Sequence, residues 1–128
     1  MLEAAITKII KTQLKLDTYL GFVPEDKKRP AIALCTLGTV TVPTLQKTES
    51  QHRTVIFTFK VHALNAFEAK EIQYKLLRLF GDRQFSEEGL GYCYEMITKV
   101  IATSDAMLHE NTTSVDVSIY TVETPKQQ

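Results

Sequence analysis

The chain has 128 residues, 44% of them apolar and 23% charged, with 15 basic residues balancing 15 acidic ones. Those values describe one ordinary globular domain with enough apolar side chains to build a core without disulfide or metal staples. A formal net charge of zero argues against a free nucleic-acid binder, which needs a basic excess to neutralise phosphates, although a local patch can sit within a neutral total.

Residues 2 to about 16 place Leu2, Ile6, Ile9, Ile10 and Leu14 on one side. Glu3, Lys8, Lys11, Thr12 and Lys15 fall largely on the other, which predicts an amphipathic helix. Lys8, Lys11 and Lys15 form a stripe at helical spacing. It reads first as a solvated face and second as a contact for an acidic partner. Leu16–Pro30 is a connector punctuated by Gly21, Pro24 and Pro30, with Phe22-Val23 as a short extended piece and Glu25–Arg29 as an exposed charged turn. Ala31–Leu37 is almost continuously apolar, the pattern of a central strand covered on both faces. Gly38 interrupts it, and Thr39–Val42 resumes alternation until Pro43. The polar run Pro43–His52 predicts a long hairpin tip, about 43–53, with Val40–Val42 and Thr54–Val61 as its base. An excursion of that length on a small domain is either mobile or used in a contact.

Arg53–Gly81 is the most informative stretch. Val55, Phe57, Phe59 and Val61 share one face at period two, with Thr58 and Lys60 opposite and Ile56 as an apolar exception. Asn65-Ala-Phe-Glu68 then reads as an Asn N-cap with Glu at N3. Ala69, Ile72, Leu76 and Leu79 follow at helical spacing, and Gly81 stands where a C′ glycine stops a helix. Asp82–Gly91 reads as loop with a turn of helix at Ser86–Gly89. Tyr92–Ala102 is ambiguous: its tyrosines and β-branched residues favour a strand over roughly 93–102, with a helix beginning at Ser86 as the alternative. Thr103–Thr113 is a second polar excursion. Ser114–Val122 alternates with Val115, Val117 and Ile119 inward, and Glu123–Gln128 is a polar tail. These elements predict a single α+β domain over 1–128: a mostly antiparallel sheet of four to five strands packed against two main helices, with a long hairpin extension.

Reactive chemistry is hard to find in this pattern. His52, His62 and His109 lie apart from one another and from Cys35 and Cys93, without the close ligand spacing that marks a metal site. The cysteines sit in apolar runs and read as buried thiols; Cys35 in particular is flanked by aliphatics that blunt a thiol. No G-x-S-x-G occurs, and Gly89-Leu-Gly91 lacks the third glycine of a phosphate cradle. Glu68/Glu71 and Glu87/Glu88 read as helix or surface carboxylates. Tyr92 and Tyr94 are the best exposed-aromatic candidates. The expectation is no catalytic residue, no cofactor and no metal. With no membrane-length apolar run and no signal-peptide pattern, the expected location is cytoplasmic.

The amphipathic first helix, the Arg29-Pro-Ala-Ile-Ala-Leu34 strand and the strand–helix block resemble the tail terminator and tail-completion family of long-tailed bacteriophages. The closest parallels are Thr54–Val61 followed by Ala63–Ile72, then Leu76–Phe80 and Gly81, with Ser114–Val122 similar to that family's closing strand. The likeness covers nearly the whole chain in element order, and the long Pro43–His52 tip departs from many relatives. It implies a subunit of a homo-oligomeric ring, commonly a hexamer, which caps the tail tube, ends its polymerisation and joins it to the head connector. The partners it implies are the tail tube protein and neck proteins, with DNA only as cargo through the lumen and no membrane. The implied location is the virion, after assembly in the host cytoplasm. Contacts are expected from Gln46, Lys47, Glu49, Gln51 and Arg53 in the hairpin tip, Lys27, Lys28 and Arg29 in the charged turn, and His109 and Glu110 in the second excursion. A neck adaptor, a tube-related subunit and a non-viral interaction module are the alternatives, and a small enzyme ranks last.

Overall fold

The computed structural model describes residues 1–42 and 50–126. In chain order it contains α1 (Leu2–Leu14), β1 (Thr18–Leu20), β2 (Ala31–Val42), β3 (Gln51–His62), α2 (Ala66–Phe80), β4 (Arg83–Glu88), β5 (Tyr92–Ser104), a 3-10 turn at Leu108–Glu110 and β6 (Thr112–Pro125). The strands form one curled half-barrel sheet in the order β1-β2-β3-β6-β5-β4. β1 and β2 run parallel; every other neighbouring pair is antiparallel.

The expected sheet of four to five strands is corrected to six. The two additional strands lie at the edges, in stretches whose local pattern does not announce them. β1 has three residues and exists through pairing with Ile32–Leu34, where an extended piece was expected at Phe22-Val23 instead. β4, Arg-Gln-Phe-Ser-Glu-Glu, has no β-branched residue and was expected to be loop or a helical turn; pairing with Cys93–Thr98 holds it extended. Tyr92–Ser104 is strand throughout, which resolves the ambiguity over 86–102 against helix.

Both helices pack on one face of the sheet. Leu2, Ile6, Ile9 and Ile10 of α1 meet Ile72, Leu76 and Phe80 of α2 and the inward rows of β2, β3, β5 and β6 in one core. Phe80 stacks on Phe59 with ring centroids 5.1 Å apart. The Asn65 side chain accepts from the Glu68 N–H at 2.8 Å, and the Glu68 carboxylate accepts from the Leu64 N–H at 2.9 Å. The capping box therefore reaches one residue further back than the N-cap. Gly81 ends α2 for a different reason from the one expected: its φ is −76° and the left-handed residue is Asp82. A Cβ at position 81 would stand 2.7 Å from the Leu77 carbonyl oxygen, so close approach is what requires glycine there.

Coverage of β2 is divided along its length. Ala31–Leu34 are buried on both faces, the far side by Val23 and Tyr19, whereas Thr36–Val40 are exposed. β2 is also next to the edge rather than central; β3 and β6 occupy the middle. Gly38 marks a β-bulge between Thr36 and Gly38, not a break.

Candidate functional site

The residues expected to make contacts divide between the two ends of the sheet. Gln51 and Arg53 open β3 at the hairpin end, where Gln51 pairs with Glu123. Lys27, Lys28 and Arg29 precede β2 at the other end, and all three are exposed. His109 and Glu110 lie in the 3-10 turn beside that same end, because Thr112 pairs with His62 and Ala31 pairs with His62 from the other side. β3 runs for 12 residues between the two groups, which at strand rise separates them by roughly 35–40 Å. Gln46, Lys47 and Glu49 fall outside the described residues.

The hairpin end holds a largely buried ion pair. Arg53 points to the helix-covered face and donates from Nε to Glu123 Oε1 at 2.8 Å. Its side chain is 24% exposed and that of Glu123 only 10%, so Arg53 is an anchoring residue as much as a surface one. Glu123 is a correction to the expected polar tail: β6 continues to Pro125, and the inward row Val115, Val117, Ile119, Thr121 carries on to it. The same alternation was visible in the sequence and only the polar residue type hid it. Tyr94 is corrected as well. It is buried against this corner, 2% exposed, and burial together with the Glu123 charge raises its phenol's pKa, while Tyr92 is exposed. On the opposite face His52 Nδ1 meets the Tyr120 hydroxyl at 2.7 Å, and Ser50 bonds Thr124.

The other end has a shallow pocket of about 210 Å³ lined by Lys60, His62, Ser104, Met107, Glu110 and Thr112–Ser114. Burial lowers the pKa of His62, and the positive charges of Arg29 and Lys60 lower it further. Among the described residues Glu110 is the one carboxylate lining this pocket, and it also approaches His109 at 3.6 Å. The arrangement brings Arg29, Lys60, His62 and Glu110 together, a grouping that sequence spacing does not reveal.

The cysteines are half-buried rather than buried, and both are free thiols. Cys35 lies on β2 and Cys93 on β5, with β3 and β6 between them, too far apart for a bond within the chain. Among the described residues no group of three or more His, Cys, Asp or Glu side chains is placed to hold a metal, and no helix is long and apolar enough to cross a membrane. Large exposed apolar side chains occur instead at several surfaces: Phe67 and Tyr74 on α2, Leu20 and Phe22 near β1, Leu37 and Val40 on β2, and Ile97 and Ile101 on β5.

No protein-family model matches the chain, and no curated protein is similar to it in sequence.

Proposed function

We propose that this chain is a structural ring subunit of a phage tail, a tail terminator that caps the tail tube and joins it to the head connector. The observation that carries the reading is the distribution of contact chemistry. Polar and charged groups collect at both ends of one sheet, Ser50, Gln51 and His52 at one and Lys27–Arg29 with His109 and Glu110 at the other. Between them the sheet terminates sideways in two unlike strands, β1 and β4. A subunit of a ring stacked between two other assemblies needs those surfaces: two axial ends for unlike partners and two different flanks for its neighbours. Unlike flanks give heterologous contacts, which close into a ring when the rotation divides the circle. DNA would pass through the lumen as cargo, without a dedicated binding site.

The test is the size and shape of the particle. Light scattering and negative-stain images of the purified protein, alone and with tail tubes added, should show closed rings, expected to be hexameric, or tubes capped at one end. A protein that stays monomeric at high concentration and leaves tube ends bare would reject the reading.

A further inference from the structure

The two edges of the sheet are each only partly covered. β1 pairs with Ile32–Leu34, so β2 from Cys35 to Val42 has no strand on its outer side among the described residues. β4 pairs with Cys93–Thr98, so β5 from Lys99 to Ser104 is open on its own outer side in the same sense.

Register places these gaps in relation to one another. From Arg83 the paired residues run across the sheet through Thr98, Ile119 and Val55 to Thr39; from Gln84 they run through Ile97, Tyr120 and Thr54 to Val40. β4 therefore stands level with the open half of β2. From Leu20 the row passes Leu34, Phe59 and Val115 to Thr103, and from Tyr19 it passes Ala33, Lys60 and Ser114 to Ser104. β1 therefore stands level with the open end of β5. Each edge protrudes at the height where the other is recessed.

Strand direction agrees. β1, β2, β6 and β4 run one way, β3 and β5 the other. Rotation about an axis along the strands preserves direction. It brings β4 of one copy beside β2 of the next as a parallel neighbour, and β1 of that next copy beside β5 as an antiparallel one. β4 and the incoming β1 then lie end to end, as one composite strand between β5 of the first copy and β2 of the second.

From this complementarity we infer that a second copy of this chain pairs with the far ends of both gaps, Thr39–Val42 and Thr103–Ser104, joining head to tail by edge pairing. The inference rests on the ring reading and supplies the way the ring closes. The open run Cys-Thr-Leu-Gly-Thr-Val-Thr-Val from Cys35 to Val42 has no charge and no proline, and Leu37 and Val40 are 60% and 64% exposed. Folded proteins blunt such an edge with charge, proline, a β-bulge or a covering segment; among the described residues this run has only the bulge between Thr36 and Gly38, and Thr39–Val42 beyond it has no strand on its outer side. By register the joint pairs Arg83–Ser86 with Thr39–Val42 and Tyr19–Leu20 with Thr103–Ser104, six residues of each flank. A standard stable interface uses about 20–30 residues a side, so one joint alone is weak. In a closed ring each copy makes the joint twice, and closure makes the last contact intramolecular.

Val40 and Gln84 are level and on the same face, so Val40→Cys with Gln84→Cys, in a Cys35→Ala and Cys93→Ala background, tests the joint by disulfide formation. Thermal melts first establish that the variant is folded, and images record whether rings form. The expected result is a ladder of linked species beyond dimer on a non-reducing gel, absent from either single-cysteine variant. Rings without cross-links overturn this joint and leave the ring reading standing. Particles that never exceed a monomer, with no cross-links, overturn both. A Val40→Cys single variant that links into dimers shows like edges pairing antiparallel, and overturns head-to-tail closure.

Discussion

Arg53 and Glu123 join β3 to β6 on the helix-covered face, Nε to Oε1 at 2.8 Å, at the foot of the hairpin arms. Removing the guanidinium by Arg53→Ala strands a carboxylate whose side chain is 10% exposed. The expected loss is about 2–3 kcal/mol, somewhat below that for breaking a fully buried pair, measured by urea unfolding. Glu123→Gln, which keeps a hydrogen-bond acceptor, should cost less than half as much. Equal losses from the two variants would mean that packing, not charge, governs this corner.

Gln73 makes a second buried polar contact. The residue is 2% exposed, and its side-chain amide donates to the Ser104 carbonyl at 3.3 Å, Asp105 Oδ1 at 3.0 Å and the Ser114 carbonyl at 3.2 Å, tying α2 to β5, β6 and the turn between them. Gln73→Ala should destabilise by roughly 1–3 kcal/mol through acceptors left short of donors. Hydrogen bonds from Lys70 and then Gln73 hold the Asp105 carboxyl below the ordinary carboxylate pKa. A depressed acid adds stability above its unfolded pKa and loses it as pH falls through the folded value. Asp105→Asn should therefore flatten the acid limb of stability from about pH 4 downward, read as melting temperature against pH.

His62 works in the opposite chemical sense with the same slope. Burial, then the charges of Arg29 and Lys60, disfavour its protonated form in the folded state. The unfolded chain binds that proton more readily, so stability is intact above about pH 6.5 and falls as the solution is acidified below it. His62→Asn should remove this part of the pH dependence. A profile between pH 5 and 7.5 that is identical for the two proteins would dismiss the effect.

Two apolar residues of α2 should separate cleanly. Leu76 is fully buried, and Leu76→Ala should cost about 2–5 kcal/mol by leaving a cavity. Phe67 is 86% exposed on the opposite side of the helix, and Phe67→Ala should change stability by less than about 0.5 kcal/mol. Chemical denaturation of both variants checks the pair.

The segment Thr44–Glu49 offers a test of assembly. His52 pairs with Val42 and bonds Tyr120, so a deletion meant to spare the monomer should remove Thr44–Glu49 and leave Gln51 and His52 in place. Under the ring reading the shortened protein should melt within a few degrees of the parent and assemble poorly on tubes. Normal capping by that variant would remove the tip from the contact surface.

Elements whose signal is local were legible before any tertiary structure. Val55, Phe57, Phe59 and Val61 alternate, Asn65 and Glu68 cap, and Ile72, Leu76 and Leu79 repeat at helical spacing, because each pattern is set within a few residues of backbone. Glu123 is misplaced because a carboxylate is buried only when a distant partner such as Arg53 meets it, and Tyr94 because the core it joins is assembled from other strands and helices. Loop polarity identifies exposed positions, but it does not encode that Arg29 and Glu110 share an end remote from Gln51.

From its own order of residues the chain determined two amphipathic helices, the alternating strands β3 and β6, and the absence of closely spaced ligand or nucleophile motifs, all of which follow from short-range periodicity and spacing. Tertiary structure alone decided that β1 and β4 are strands, because β1 is only three residues long and β4 lacks β-branched residues, so each is held extended by its partner. It also decided their heights on opposite edges. Register accumulates across five strand pairings, and no local stretch of sequence contains that sum.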